Sequence, residues 1–269
     1  MVIEADQKFF HIGLRELWHY RELLYFMIWR DLKVRYKQTI LGASWAILQP
    51  LAMMIIFTIV FSKIARFPSD GLPYPVFAYC ALLPWYFFSK SVSSCSMSIV
   101  NNDNLVKKIF FPRLILPIAS MLTNIVDFAL SLIILLGLMA WFKISLTLNA
   151  FAALFFLLIV FIVSLSLGLW LAALNVRYRD ISHIIPFLLQ LWMYLTPNFY
   201  PISLIPKKWL PLYMLNPMVG VVEGFRWALL NKPGMNFTAL GMSMTLVLIL
   251  LFTGLFFFKK TEKTFADVI

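Results

Sequence analysis

Six long apolar runs, separated by short segments that carry charges, prolines or glycines, constrain this chain more than any other feature. A bilayer core of roughly 30 Å needs about 20 apolar residues in a helix, and each run is close to that length or longer. The runs lie near residues 44–62, 74–96, 114–142, 148–174, 184–203 and 237–258. Only 13% of the 269 residues are charged, and little chain remains for a soluble domain. The sequence predicts an all-α integral membrane protein with six transmembrane helices.

The Lys and Arg residues concentrate on one side of such a topology. With the N terminus inside, segments 1–43, 97–113, 175–183 and 259–269 carry 15 of them, whereas segments 63–73, 143–147 and 204–236 carry 7. Cytoplasmic loops are enriched in basic residues, so both termini are expected in the cytoplasm. The net charge of +11 is therefore attributed to membrane orientation rather than to nucleic-acid binding. Residues 1–13 lack the apolar run of a secretory signal and are expected to be retained.

Residues 14–37 precede the first run and have a helical pattern. Leu17, Trp18, Leu24, Tyr25 and Ile28 recur at helical spacing, and polar residues lie opposite them. This pattern predicts an amphipathic helix that lies in the membrane interface. The basic residues near its end would contact anionic headgroups, a cytoplasmic partner, or both; they are Arg30, Lys33, Arg35 and Lys37.

Prolines break the chain after the fifth run, first within residues 195–201 and then at Asn216-Pro217. A helix of about 12 residues rises only about 18 Å, which is too short to cross the bilayer core. The pieces before the last run are therefore predicted to be outer-side re-entrant helices in a gate region at about 204–233. The candidate gate residues are Asn216, Pro217, Glu223 and Arg226.

Lys90 and Asp127 lie within apolar runs, where charged side chains are costly and usually functional. The sequence leaves open whether the two side chains pair or face a polar lumen. Aromatic side chains near the irregular segments could stack on sugar rings or form an interfacial belt. Together with Asp127, the predicted channel- and glycan-lining residues are Trp85, Tyr86, Phe87, Phe88, Trp192, Tyr194, Phe199 and Tyr200.

The segment 98–113 mixes asparagines and lysines with apolar residues. Leu105, Val106, Ile109 and Phe110 suggest a short helix with one covered face that lies across the cytoplasmic ends of two spans. A solvated loop is the alternative.

Motifs for nucleotide hydrolysis and other catalysis are missing from the sequence. It contains no G-x-x-x-x-G-K-[ST] loop, so it is not expected to hydrolyse ATP by itself. His11, His19 and His183 have no metal-ligand spacing, and Cys80 and Cys95 are expected to be ordinary buried residues. No catalytic residue and no metal site is predicted.

Four stretches, 30–51, 82–117, 173–201 and 215–230, together resemble ABC type-2 permeases that export O-antigen, capsular polysaccharide or teichoic acid. The resemblance implies a domain of six spans at 44–258 between a cytoplasmic N-terminal segment, 1–43, and a cytoplasmic tail, 259–269. It also implies a homodimer with two copies of a separate ATPase, which binds ATP and Mg²⁺. Residues implied to couple to that ATPase are Asn101, Asn104, Leu105, Lys107 and Lys108 in the coupling helix, and Arg30, Lys33 and Arg35 in the interface helix.

The implied substrate is a glycan on a membrane lipid, commonly undecaprenyl diphosphate, exported across the bacterial inner membrane. Three alternatives remain at this point. One is a related permease for a drug or a small lipid, and another is a passive channel. The third is a membrane-bound glycan enzyme, for which Asp180 beside Arg177 and Arg179, or Glu223 beside Arg226, would supply the charges.

Overall fold

A computed structural model describes residues 14–37, 44–232 and 237–265, and within these ranges the regular elements are all helices. Four parts of the chain lie outside the described residues: the first 13 residues of the N-terminal segment, its residues 38–43, positions 233–236, of which 233 ends the predicted gate region, and residues 266–269 of the tail.

The segment predicted to lie in the membrane interface, called the interface helix below, comprises α1 (Leu14–His19) and α2 (Arg21–Lys37). Next come α3 (Ser44–Phe57), a π-helix (Thr58–Ile64), α4 (Tyr74–Met97), a 3₁₀ turn (Val100–Asn102) and α5 (Asp103–Lys108). The middle of the chain forms α6 (Ile115–Leu122), α7 (Asn124–Trp141), a 3₁₀ turn (Leu148–Phe151) and α8 (Ala152–Arg177). The last part forms α9 (Ile181–Tyr194), a 3₁₀ turn (Ile202–Leu204), α10 (Leu210–Met214), α11 (Pro217–Leu230) and α12 (Phe237–Glu262).

Four helical segments among the described residues are long and apolar enough to cross a membrane. They are Ser44–Ile64, Ile115–Trp141, Leu148–Arg177 and Leu240–Glu262. The 24 residues of α4 give a length of about 36 Å, but its second half is polar because it contains Lys90 and several serines. Helix α9 ends at Tyr194, so the fifth run is a shorter helix followed by an irregular segment. The count of six spans stays a prediction.

Helix α8 lies at the centre of the fold, with α4, α11 and α12 packed around it. Close helix contacts depend on glycine at two of these interfaces. A Cβ atom on Gly168 of α8 would lie 2.4 Å from the Cys95 sulfur of α4. A Cβ atom on Gly254 of α12 would lie 2.9 Å from the Trp170 indole of α8. Since packed interiors have few voids, these glycines set how closely the helices approach.

Two ends of the helical body can be distinguished. At the end that we call the basic end, α2, the start of α6 and the ends of α8 and α12 share one apolar cluster that contains Met27, Phe111, Ile115, Val176 and Phe258. At the opposite end, hydrogen bonds and an ion pair join three connecting segments. One follows the π-helix, one follows α7 and one follows α11. The segments predicted to share a side of the membrane thus meet at the same end of the protein.

Candidate functional site

The interface helix packs against α6 with one apolar stripe and exposes another. Leu17, Leu24 and Ile28 face the protein around the buried Met27. Trp18 and Tyr25, which the sequence pattern placed on the same face, are 72% and 71% exposed. These two residues therefore lie outside the stripe that packs on the protein, and the position of the helix in the membrane interface stays a prediction. The helix has an apolar stripe against the protein and an aromatic stripe that is open to its surroundings.

Arg30 joins this helix to the predicted coupling segment. Its guanidinium donates a 2.8 Å hydrogen bond to the Asn102 side chain, whose amide in turn donates to the Ser98 carbonyl, also at 2.8 Å. Lys33 instead is exposed, with its ammonium 4.3 Å from the centre of the Trp29 ring. A movement of the segment after α4 would therefore be transmitted directly to α2 through Arg30.

The coupling segment presents an exposed tip, which we call the α5 tip: Asn101, Asn104, Lys107, Lys108, Ile109 and Phe110. Leu105 is half-buried, and Val106 and Phe111 anchor the segment in the basic-end cluster. The expectation that Ile109 and Phe110 lie on the covered face was wrong. The backbone becomes extended at Ile109, so both side chains turn outward, and Phe110 is 88% exposed. The tip combines two lysines with an uncovered apolar pair.

Asp127 organises a second contact between α2 and the helical body. Its carboxylate lies 3.3 Å from the Arg35 guanidinium and 3.2 Å from the Lys90 ammonium, and it accepts a short hydrogen bond from the Tyr36 hydroxyl. Asn124, one turn before Asp127 in α7, accepts a 3.0 Å hydrogen bond from Arg35. We call these five residues the Asp127 cluster. Burial, followed by the contact with Asp127, raises the pKa of Tyr36, so its phenol stays protonated and donates.

Of the two possibilities that the sequence left open for Lys90 and Asp127, the structure shows the ion pair. Their pairing does not test the lumen-facing role of Asp127, which stays a prediction. Neither Tyr36 nor Asn124 was predicted. Asn124 could have been noticed because it shares a helix face with Asp127, three residues away. Tyr36 is 91 residues from Asp127 in sequence and gave no local signal.

The predicted glycan-lining aromatics divide into buried and accessible groups. Trp85, Phe87, Phe88 and Phe199 are buried inside the chain. Tyr86, Trp192 and Tyr200 are half-buried, and Tyr194 is exposed. A sugar could reach the first group only after α4 or the segment after α9 had moved, whereas the second group already has free ring surface. The lining roles stay predictions for all eight residues.

Asn216 ties the gate region to α9. Its side-chain oxygen accepts hydrogen bonds from the Met218 amide, as the cap of α11, and from the Trp192 indole, both at 3.0 Å. Its side-chain amide donates to the Thr196 hydroxyl at 3.2 Å. Pro217 occupies the first turn of α11, where its missing N–H leaves no helical hydrogen bond unmade. One asparagine thus fixes the end of α9 against the start of α11.

Glu223 and Arg226 form a 2.9 Å ion pair, as the spacing suggested, and the guanidinium is fully buried. Arg226 lies 3.5 Å from the centre of the Phe77 ring and donates to the Asn198 carbonyl at 3.2 Å. Lys232 bridges Glu223 at 2.7 Å and Asp70 at 2.9 Å. We call Asp70, Glu223, Arg226 and Lys232 the Arg226 network. Asp70 and Lys232 were not predicted, because they are 162 positions apart and share no motif.

The polar side chains of the described residues serve mainly as contacts between helices. Within the described ranges, no group of three or more His, Cys, Asp or Glu residues is close enough to hold a metal ion. Cys80 and Cys95 are both buried and unpaired by disulfides. The polar residues instead connect helices: the Asp127 cluster near the basic end, and Asn216 with the Arg226 network toward the opposite end.

Comparison with known proteins supplies independent information. Residues 22–230 match the family model described as ABC-2 type transporter. The chain is 35% identical over 216 residues to the O-antigen export system permease protein RfbA of Myxococcus xanthus, covering 79% of this chain and 82% of that protein. It is 24% identical to the RfbA protein of Klebsiella pneumoniae, with 92% and 95% covered. It is 26% identical to the polysialic acid transport protein KpsM of Escherichia coli, with 87% and 91% covered.

Proposed function

This chain belongs to the ABC-2 type transporter family, and from that membership we propose that it is the membrane-spanning permease subunit of a polysaccharide exporter. The observation that carries the proposal is the 35% identity with an O-antigen export permease along most of both chains. A second relative, named for polysialic acid transport, matches over 242 residues. The two names differ in the polysaccharide but agree on its transport.

The energy for transport would come from a partner. The proposal assigns ATP and Mg²⁺ to two copies of a separate ATPase subunit that dock on the α5 tip and on α2. In support, the tip offers Lys107, Lys108 and the uncovered Ile109 and Phe110, a combination that suits a protein partner with apolar and acidic residues. Arg30 and the Asp127 cluster would carry a displacement of these elements into α4 and α7.

The path would lie between two copies of this chain. Six spans would be made by α3 with the π-helix, α4, α6 with α7, α8, α9 with the segment that follows it, and α12. Helices α10 and α11 would be re-entrant, since the 14 residues of α11 give only about 21 Å. The exposed apolar faces of α3 and α9 offer surface for the second copy. Rotation of the two copies about this interface would open and close the path.

The substrate would be a glycan on a lipid carrier, with undecaprenyl diphosphate as the proposed carrier and O-antigen as the proposed glycan class. The proposal places the chain in the bacterial inner membrane with both termini in the cytoplasm, because the basic end carries most of the Lys and Arg residues. Tyr86, Tyr194 and Tyr200, which have free ring surface, would contact sugars by stacking.

The experiment that tests this function is deletion of the gene, followed by staining of surface and intracellular polysaccharide. We expect surface glycan to disappear and lipid-linked glycan to accumulate inside, with recovery when the intact chain is restored. Co-purification of the tagged chain with mass spectrometry should also recover a stoichiometric ATPase. Unchanged surface glycan in the deletion strain, or a purified complex without an ATPase, would contradict the proposal.

A further inference from the structure

A large apolar groove runs between α8, α9, α10 and α12. It encloses about 1060 Å³ and is bounded by Trp170, Leu188, Trp192, Trp209, Leu212 and Leu246, among others. That volume is at the upper end of the range for ligand pockets in proteins. The groove is therefore large enough for a long and bulky ligand.

The polar groups of Trp192, Tyr213 and Ser166 on the wall of the groove are already engaged within the protein, and the Trp170 indole N–H is buried without a hydrogen-bond partner among the described residues. The Trp192 indole donates to Asn216, and the Tyr213 hydroxyl pairs with the Tyr200 hydroxyl at 2.7 Å. The Ser166 hydroxyl donates to the Ile162 carbonyl, also at 2.7 Å. A sugar bound here would leave its own hydroxyls buried without hydrogen-bond partners, which disfavours its binding. The wall therefore selects a hydrocarbon chain over a glycan.

One rim of the groove is basic. Lys207 and Lys208 lie between Pro206 and Trp209, which both line the groove, and the Lys208 ammonium is 5.7 Å from the centre of the Trp209 ring. Both lysines are exposed. Two acids in the same part of the fold are both paired with Lys232: Asp70, which accepts a hydrogen bond from Ser203, and Glu223. The rim thus complements an anionic headgroup attached to a chain in the groove.

We propose that this groove seats the isoprenoid chain of a phosphate-bearing polyprenyl lipid, with the phosphate at Lys207 and Lys208. The inference rests on the proposed function, because it identifies the place where the chain would hold the lipid part of its substrate. It also assigns the lipid and the sugars to different surfaces: the lipid binds in the groove, and the sugars meet the aromatic rings outside it. Methyl-branched isoprene units would fill the space between the three tryptophans.

Photo-crosslinking tests this inference directly. The full-length chain in phosphatidylcholine nanodiscs would be labelled with a polyprenyl phosphate that carries benzophenone at the far end of its chain, and the adducts would be mapped by mass spectrometry. We expect them within residues 163–171, 185–217 and 246–250. Unlabelled polyprenyl phosphate should compete, and the same concentration of phosphatidylglycerol should not.

Matched variants make the test specific. Leu246→Trp fills the groove and should reduce labelling about tenfold, equivalent to a loss of about 1.4 kcal/mol in binding. Ile249→Trp lies on the same helix but does not line the groove, and it should label like the unmodified chain. Lys207→Glu with Lys208→Glu should also reduce labelling, whereas Lys63→Glu, another exposed lysine, should not.

Three results would overturn the inference. The first is adducts that map outside the groove. The second is labelling that neither Leu246→Trp nor the double lysine variant reduces. The third is equal competition by phosphatidylglycerol, because it would indicate an ordinary phospholipid site. Adducts that join two copies of the chain would instead make the groove a subunit interface. Photo-labelling does not depend on export. A negative labelling result would therefore contradict the lipid site alone, and the exporter role would still be tested by staining of surface glycan.

Discussion

At the side chain of Asp127, α2, α4 and α7 meet through one carboxylate and two cations. The Asp127 residue is only 7% exposed, and Arg35 and Lys90 are each about one-third exposed. Removing the single anion would leave two neighbouring positive charges to repel each other in a setting of reduced solvation. Breaking a fully buried ion pair costs about 3–5 kcal/mol, and partial exposure lowers that figure.

We therefore expect Asp127→Asn to lower the free energy of unfolding by about 1–3 kcal/mol and to reduce export. For a chain of this size the melting temperature should fall by about 2–4 °C for each kcal/mol. Thermal unfolding of the purified protein in detergent measures the first effect, and surface glycan measures the second.

Asp31→Asn is the matched control, because Asp31 pairs with Arg30 at 2.8 Å in a more exposed setting. An exposed pair contributes at most about 1 kcal/mol, so this variant should melt close to the unmodified chain. Equal melting of both variants and of the unmodified chain would show that the Asp127 cluster does not hold α2 in place.

Arg226 is the second residue whose environment demands one particular side chain. It is fully buried, pairs with Glu223, donates to a carbonyl and covers the Phe77 ring. We expect Arg226→Lys to lose about 2–4 kcal/mol of stability, since one ammonium cannot make the planar set of contacts that a guanidinium makes. Glu223 would keep its partner Lys232.

Melting of Arg226→Lys would be compared with Lys207→Arg, an exposed exchange of the same two residue types. The control should melt like the unmodified chain. A stable Arg226→Lys variant would mean that the charge alone suffices and that the guanidinium geometry does not matter.

Among the elements, the α5 tip depends on a change of backbone conformation. Because the helix ends at Lys108 and the chain becomes extended at Ile109, an apolar pair is displayed instead of packed. Phe110→Glu should therefore abolish co-purification of the ATPase, because a carboxylate would replace the most exposed apolar contact at the tip. The melting temperature should not change.

Phe110→Tyr keeps the ring and should retain the ATPase in the same pull-down. If Phe110→Glu still retained a full complement of ATPase, docking would have to be assigned to another surface of the chain.

The close contact between α4 and α8 at Gly168 can be tested by adding a methyl group there. Gly168→Ala would place a methyl group 2.4 Å from the Cys95 sulfur, so α4 and α8 would have to separate, at a cost of about 1–3 kcal/mol. Gly137→Ala, in α7, meets nothing within 4 Å and should be neutral or slightly stabilising because alanine favours helix. Thermal unfolding compares the two. Equal melting would show that the α4–α8 contact is loose.

For the whole molecule, hydrophobic runs and charge distribution were enough to predict an all-helical membrane protein and the grouping of segments into two ends. The length of the fifth run was misleading, because an apolar segment with prolines can be helix or irregular chain, and α9 stops at Tyr194. The burial of Trp85, Phe87 and Phe88 could not be predicted either. Helix α4 is surrounded by other helices, and its own sequence does not show which neighbours cover it.

Orientation in the membrane can be tested because Cys80 and Cys95 are both buried and should react poorly with maleimide. A cysteine at Phe110→Cys should react with an impermeant maleimide only in inverted vesicles, because the basic end faces the cytoplasm in the proposed topology. A cysteine at Lys207→Cys should react only in intact cells.

Denatured samples of each cysteine variant provide the reference for complete labelling, and the unmodified chain gives the background. Reaction of both positions from the same side would refute the separation of the two ends.

The glycine contacts along α8 finally suggest which parts of the chain stay still while others move. Helices that touch at Gly168 and Gly254 have no space to slide, so α4, α8 and α12 should behave as one rigid frame during a transport cycle. The interface helix and α9 are held to the rest of the chain by apolar contacts and by polar side chains such as Arg35 and Asn216, whose hydrogen bonds can exchange partners. Pulsed electron resonance distances should then stay constant within the frame and change between the frame and α2 or α9.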